Sequence, residues 1–167
     1  MKENVILIGM PGAGKSTIGV LLAKQLGLDF IDTDLLLQRQ VTMRLQQLIT
    51  LKGLDNFRRA EEQMLLSLSI ENTVIATGGS VIYSELGMAN LQKLGRLIYL
   101  HISLTELTQR IADMGDRGIL IAAGQSFKDL YAERTPLYTH YADIEVEIDG
   151  LSVEDVLRTI EKLCTKS

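Results

Sequence analysis

The chain has 167 residues, of which 46% are hydrophobic and 23% charged, a composition typical of a folded globular protein and not of a disordered segment. Its formal net charge of −4 offers no basic field to a nucleic-acid backbone, so we expect no nucleic-acid partner. The apolar run at 5–8 is too short for a signal or membrane segment, and the single cysteine excludes an internal disulfide. We therefore expect a cytoplasmic protein without a membrane partner.

The first half of the chain alternates short apolar strands with helices. Hydrophobic periodicity predicts strands at 4–8 and 29–32, and helical segments at 15–26, 35–50 and 55–69. Gly27 is placed to end the first helix, and Gly53 to end the long amphipathic segment over 35–50.

The second half continues the same alternation. We predict strands at 73–77, 96–102 and 144–148, and helices at 106–112, 126–141 and 153–164. Ser103 is a suitable N-cap for the helix over 106–112, and the glycine-containing stretch 115–124 suits a mobile loop. Short strands alternating with helices indicate a parallel sheet covered on both faces. Without a repeat or linker, we expect one α/β domain over 1–167.

The strongest motif is Gly-Met-Pro-Gly-Ala-Gly-Lys-Ser at 9–16, which matches G-x-x-x-x-G-K-[ST] at every fixed position. It follows an apolar strand and opens a helix, so its backbone N–H groups and the helix N-terminus can surround phosphate groups. Lys15 is predicted to neutralise the β- and γ-phosphates, and the Ser16 hydroxyl to bind Mg²⁺. The alternative is a glycine-rich turn without a ligand. We predict an ATP site that includes Gly12, Ala13, Gly14, Lys15, Ser16 and Thr17.

Two carboxylates follow the second predicted strand, at Asp32 and Asp34. The chain has no N-K-x-D segment for reading guanine, and its later apolar strands do not end in an acidic residue as those of an ATPase motor would. In an extended segment the two carboxylates project the same way, so Asp32 could reach the metal while Asp34 receives an acceptor hydroxyl. The alternative is that either residue only caps the following helix.

Three arginines lie where a phosphotransferase would use positive charge. Arg58 stands one helical turn before Glu61, which could hold its guanidinium. Arg117 lies in the glycine-containing loop, from which a lid could deliver it to the transferring group. Arg134 precedes a proline and a tyrosine. Each is alternatively a solvated surface arginine.

With these residues assembled, the chain resembles the shikimate kinase family over nearly its full length. The matching segments are 9–17, 32–34, Gly53, Phe57-Arg58, Glu61, 77–79, Arg117, and 134–138 with Ala142. The resemblance implies a P-loop NTPase fold of three α/β/α layers, similar to nucleoside-monophosphate kinases, with five parallel strands in the order 2-3-1-4-5. It also implies an acceptor-binding helical region over about 33–61 and a lid over about 113–124.

The resemblance further assigns roles. It implies that Arg117 faces both ATP and the acceptor, that Arg110 packs against adenine, and that Val153 stands where the family has a proline beside adenine. It implies an acceptor site formed by Asp34, Arg58, Gly78, Gly79 and Arg134, in which the two arginines clamp a carboxylate.

Several positions depart from the family pattern, mostly around the acceptor site: Thr42, Arg44, Ile49, Leu54, Ser80 and, in the lid, Gly118. We expect a monomer that uses ATP and Mg²⁺ to phosphorylate a small acidic polyol, with shikimate as the first choice of acceptor. One alternative is a paralogue that acts on another small alcohol or a nucleotide. The other is a non-catalytic, regulatory ATP-binding protein.

Overall fold

The computed structural model describes residues 4–114 and 124–165. These residues form one parallel sheet in the order β2-β3-β1-β4-β5, which confirms the predicted strand order 2-3-1-4-5. The strands are β1 Asn4–Ile8, β2 Asp29–Asp32, β3 Thr73–Ala76, β4 Gly95–His101 and β5 Ile144–Glu147. The helices are α1 Lys15–Leu26, α2 Thr33–Val41, α3 Leu45–Lys52, α4 Leu54–Ser67, α5 Glu85–Leu94, α6 Leu104–Met114, α7 Phe127–Tyr141 and α8 Val153–Thr165.

The centre of the sheet is β1, which pairs with β3 on one side and β4 on the other. Its residues Ile6, Leu7 and Ile8 are fully buried, as a strand covered on both faces requires. Helices α1 and α8 pack together, while α5 and α7 pack against β4. The three-layer α/β/α arrangement expected from the alternation of strands and helices is thereby confirmed.

The predicted single segment over 35–50 is wrong, because the structure contains two helices there. The chain leaves α2 at Thr42, whose φ of +56° lies in the left-handed region, and α3 begins at Leu45. A β-branched residue in this conformation costs on the order of 1–2 kcal/mol, so threonine gives no sequence signal for the break. Gly53 ends α3 as predicted, with its N–H bonded to the Ile49 carbonyl.

The sequence pattern over 80–94 predicts no helix or strand. In the structure these residues form a 3₁₀ turn at Val81–Tyr83 and helix α5. The Ser84 hydroxyl caps α5 by accepting from the Gly87 N–H at 2.9 Å. Val81 and Ile82 are buried, which anchors the turn against the core. This segment carries a tyrosine toward the site described below.

The parallel strands end at one edge of the sheet, where the sequence motifs collect. From β1 the chain enters the loop at 9–14, β2 ends at Asp32, and β3 leads into Thr77-Gly78. The Thr77 N–H and hydroxyl both donate to the Leu7 carbonyl, which ties the end of β3 to β1. Crevices at this edge are the usual ligand sites of open α/β sheets.

The predicted lid over about 113–124 includes residues that the structure does not describe. Arg117 and Gly118 fall in 115–123, which lies outside the described residues. Among the helices of the described ranges, none combines the length and apolar character needed to cross a bilayer.

Candidate active site

The loop at 9–14 joins β1 to α1 and leaves the helix N-terminus open toward the sheet edge; with Lys15 and Ser16 it is here called the phosphate loop. Gly12 and Gly14 have φ values of +85° and +90°, which side chains rarely tolerate. Gly14 is the N-cap of α1, and no described side chain bonds this end of the helix. Ala13 is buried, whereas Thr17 is exposed on the first turn. The helix terminus therefore presents backbone N–H groups suited to an anion.

Lys15 is held across this loop. Its Nζ donates to the carbonyls of Gly9 and Met10, each at 2.8 Å, and the residue is only 7% exposed. Burial lowers the pKa of Lys15 to about 8; Asp34 and Asp32 act in the opposite direction, while Arg134 adds to the lowering. An anionic partner in this position would stabilise the charged form of the buried ammonium group.

Asp32 caps α2, which is one of the two roles that the sequence left as alternatives, and it also contacts the phosphate loop. One carboxylate oxygen accepts from the Ser16 hydroxyl at 2.6 Å. The other caps α2 by accepting from the N–H groups of Asp34 at 2.9 Å and Leu35 at 3.3 Å. The helix cap orients the carboxylate toward the phosphate loop.

The Ser16 and Asp32 oxygens fit a Mg²⁺ ion bound with a nucleotide. Magnesium is commonly held by one or two protein oxygens together with phosphate oxygens and water. Such a site needs no dense group of protein ligands, and the described residues contain no group of three or more His, Cys, Asp or Glu able to hold a metal.

Asp34 faces the backbone that follows β3. A Cβ atom added to Gly78 would lie 2.5 Å from the Asp34 Oδ1 atom, so only glycine allows this approach. Gly78 itself donates to the Thr33 hydroxyl at 3.0 Å. Burial raises the pKa of Asp34, as does the neighbouring Asp32, while Lys15 opposes the rise. A carboxylate in this state is a better proton acceptor than one in water.

Glu61 lies beside Asp34 and is bound by Ser80. The Ser80 hydroxyl is 2.8 and 2.9 Å from the two Glu61 oxygens, and Glu61 is 3% exposed. The Arg58–Glu61 pair expected from their spacing is not among the ion pairs of the described residues, because the Glu61 carboxyl turns toward Ser80 instead. Ser80, which stands where the family resemblance implies a third glycine after Gly78-Gly79, thus bonds a buried acid.

The titration of Glu61 gives a prediction about stability. Burial raises the pKa of Glu61 from 4.5 to about 7; the Ser80 hydrogen bond opposes this, and Asp34 adds to it. Because the folded state holds this proton more tightly, stability should fall as the pH rises from 4.5 to 7. Glu61→Gln lacks this loss, so its free energy of unfolding relative to wild type should rise by on the order of 3 kcal/mol between pH 4.5 and pH 8.

Urea unfolding of both proteins across this pH range measures the difference. Glu71→Gln, at an exposed carboxyl, controls for effects of the substitution on surface charge. A difference between Glu61→Gln and wild type that stays constant with pH would contradict the prediction, because the pKa of Glu61 would then be the same in the folded and unfolded states.

Two arginines and a tyrosine form the opposite side of the site. Arg134 of α7 is 4% exposed, and a Cβ atom on Gly79 would meet its Nη1 atom at 2.9 Å. Arg58 of α4 is exposed, with its guanidinium carbon 5.0 Å from the centre of the Tyr83 ring. The corresponding distance for Arg134 is 5.3 Å. The predicted residues Asp34, Gly78, Gly79 and Arg134 are therefore brought together, and Tyr83 joins Arg58 to them.

Glu106, which the sequence did not single out, joins Arg110 to the segment that precedes α8. One Glu106 oxygen accepts from the Arg110 guanidinium, and the other accepts from the Gly150 N–H at 2.8 Å. Val153 is 41% exposed at the start of α8, three residues after Gly150. Gly12 approaches α6 closely, since an added Cβ would lie 3.2 Å from Ile111 Cγ1. Helix α6 thus connects the phosphate loop with Arg110.

A P-loop phosphotransferase is the class of protein that this sheet order and this arrangement of loop, carboxylates and arginines define. A family model described as shikimate kinase matches residues 11–165. The chain belongs to the shikimate kinase family and is a phosphotransferase with an alcohol group as acceptor.

The similar proteins cover most of the chain. The shikimate kinases of Francisella tularensis subsp. novicida and Francisella philomiragia are each 35% identical over 162 residues, which is 95% of this chain and 92% of theirs. The structure of shikimate kinase from Acinetobacter baumannii in complex with shikimate has a TM-score of 0.89 and 30% identity, covering 98% of this chain and 93% of its own. The structure of shikimate kinase from Aquifex aeolicus has a TM-score of 0.81 and 29% identity, with coverages of 98% and 96%.

Proposed function

We propose that the protein transfers the γ-phosphoryl group of ATP to a hydroxyl of shikimate, forming shikimate 3-phosphate and ADP. The observation that carries the proposal is the approach of Asp34 and Arg134 to the Gly78-Gly79 backbone, next to the buried Lys15. A carboxylate able to bind an acceptor hydroxyl and a guanidinium able to bind an acidic group of the acceptor thus lie beside the phosphate loop. The structure of the similar Acinetobacter baumannii kinase was determined with shikimate bound, which supports this acceptor.

In the proposed mechanism, the phosphate loop binds the triphosphate through its N–H groups, with Gly12, Ala13, Gly14 and Thr17 at its wall. Lys15 exchanges its bonds to the Gly9 and Met10 carbonyls for bonds to the β- and γ-phosphates. Ser16 and Asp32 would hold the magnesium ion, which would supply charge neutralisation at the phosphate oxygens. Asp32 keeps its α2 cap throughout, since different oxygens serve the two roles.

Asp34 aligns the attacking hydroxyl and takes its proton. The acceptor oxygen forms the new P–O bond, the bond from the γ-phosphorus to the β–γ bridging oxygen breaks, and ADP leaves. Arg58 and Arg134 bind the acceptor carboxylate, while Gly78 and Gly79 supply a backbone wall without side chains. The raised pKa of Asp34 favours the proton transfer.

The remaining assignments rest on the family resemblance. We propose that Arg117, from a lid over about 113–124, stabilises charge on the transferring group, and that Arg110 and Val153 border the adenine. The acceptor-binding region would span about 33–61 of a single domain. We further propose a cytoplasmic monomer; a single cysteine requires no oxidising compartment.

A second candidate is a kinase of the same class with another hydroxy acid as acceptor. The Ser80–Glu61 contact favours it, because a hydroxyl occupies a position where the family has glycine and engages a carboxyl of the pocket. Asp34 and the two arginines would act on such an acid as they would on shikimate.

The test is ADP release from MgATP, measured by a coupled assay with and without shikimate, and beside quinate, gluconate and nucleoside monophosphates. We expect strong stimulation by shikimate, with the phosphorylated oxygen identified by ³¹P NMR. A response only to another hydroxy acid would favour the second candidate. Absence of acceptor-dependent ADP release with every compound, while ATP still binds, would overturn the proposal and favour a non-catalytic ATP-binding protein.

A further inference from the structure

Tyr83 contacts both arginines proposed to bind the acceptor. We propose that Tyr83 is a positioning residue: it holds Arg58 and Arg134 and directs the terminal nitrogens of Arg134 toward the carboxylate of the acceptor. This inference rests on the proposed function, because it assigns the acceptor an acidic group at the two arginines. It adds a residue to the acceptor site that no family motif in the sequence indicated.

The hydrogen bonds of Tyr83 have a defined direction. Its hydroxyl donates its only proton to a Glu133 carboxylate oxygen, and the other Glu133 oxygen accepts from the Gln125 side chain at 2.8 Å. The same hydroxyl lies 3.2 Å from the Arg134 Nε atom, so it must accept the proton that Nε carries. Burial raises the pKa of Tyr83, which keeps the hydroxyl protonated at neutral pH.

This bond restricts how Arg134 can bind a carboxylate. A guanidinium can pair with a carboxylate either side-on, through Nε and one terminal nitrogen, or end-on, through both terminal nitrogens. The Tyr83 hydroxyl occupies Nε, so the end-on edge remains for the acceptor. Nη1 of that edge already lies against Gly79, beside Pro11 of the phosphate loop. The end-on edge therefore lies at the proposed acceptor site.

Arg58 depends on the ring and not on the hydroxyl. It is exposed, and an exposed arginine loses side-chain entropy when it is fixed by a ligand. The Tyr83 ring, 5.0 Å from the guanidinium carbon, supplies a cation–π contact that limits this motion before the acceptor arrives. The ring is itself fixed by the 3₁₀ turn, whose Val81 and Ile82 are buried.

The experiment compares wild type with Tyr83→Phe, which keeps the ring and loses the hydroxyl, and with Tyr83→Leu, which loses both. Tyr131→Phe is the matched control, because its hydroxyl also makes a hydrogen bond, to the Ile102 carbonyl, away from the arginines. Each protein is assayed for shikimate binding by equilibrium dialysis and for turnover with MgATP. Each is also tested with the shikimate carboxamide, which lacks the negative charge, and its thermal unfolding is recorded.

We expect Tyr83→Phe to raise the Kd and KM for shikimate roughly tenfold, the scale of a hydrogen bond to a charged group, with kcat and the KM for ATP unchanged. Tyr83→Leu should raise them several-fold further. Binding of the carboxamide should be equally weak in wild type and both variants. Tyr131→Phe should behave as wild type.

The outcomes separate this inference from the proposed function. Unchanged shikimate affinity in Tyr83→Leu, or equal losses for shikimate and the carboxamide, would overturn the role of Tyr83 while wild-type turnover upheld the reaction. Wild-type binding of shikimate without transfer, with the expected variant effects, would overturn the reaction and support the positioning role. Wild type that binds no shikimate would overturn both.

Discussion

Replacing Lys15 with alanine should abolish phosphoryl transfer while leaving the protein folded. The ammonium group is buried at the phosphate loop, and its removal takes away the charge that we expect to meet the β- and γ-phosphates. The kcat should fall by at least about a thousandfold, since positioning and electrostatic stabilisation account for most catalysis of this reaction. Coupled ADP release in the presence of the acceptor measures the loss.

The fold should survive this substitution because the charge is already unfavourable where it stands. Burial has lowered the pKa of Lys15, so the unfolded state solvates the ammonium better than the folded state does. Thermal unfolding should therefore shift little. Lys24→Ala, at an exposed position on the same helix α1, is the matched control. Turnover of Lys15→Ala equal to that of Lys24→Ala would remove Lys15 from the catalytic site.

Asp34→Asn should lower kcat by roughly a hundredfold to a thousandfold, because the amide can neither accept the hydroxyl proton nor orient it by charge. The side chains have the same shape, so the tight approach to Gly78 is kept. Nucleotide binding should change little. Steady-state kinetics with varied ATP and varied acceptor separate these effects.

Asp29→Asn is the control for Asp34→Asn. Asp29 is exposed at the start of β2, at the end of the strand remote from the phosphate loop. Its substitution should leave kcat unchanged. If Asp34→Asn retained wild-type kcat, the acceptor proton would have to leave by another route, and Asp34 would be a binding or structural residue.

The parts of the fold visible in the sequence are those specified by local chemistry. The phosphate loop is one such part, because Gly12 and Gly14 stand where the backbone needs a positive φ. Burial of the central strands on both faces was predictable from their uninterrupted apolar residues. The strand order came from the family resemblance, since periodicity alone does not order parallel strands.

Other parts depend on contacts between distant residues or on weak local signals. The break at Thr42 is one case, because threonine does not usually adopt the left-handed conformation. Helix α5 had a recognisable cap in Ser84, but Gly87 in its first turn is a poor helix former and weakens the helical signal. Tyr83 contacts Arg134 although the two residues are 51 positions apart in the sequence. A spacing pattern along the chain could not have predicted this contact.

The Gly78-Gly79 backbone also limits how the proposed acceptor site could change its acceptor during evolution. A side chain at either position would collide with a group of the site: Asp34 Oδ1 at 2.5 Å for Gly78, and Arg134 Nη1 at 2.9 Å for Gly79. Single substitutions there would damage the site before they reshaped it. Substitutions are easier at the positions that follow, where Ser80 and Tyr83 already place side chains at the proposed acceptor site. The two glycines are therefore expected to stay unchanged, and we expect changes in acceptor specificity to arise at the residues that follow them.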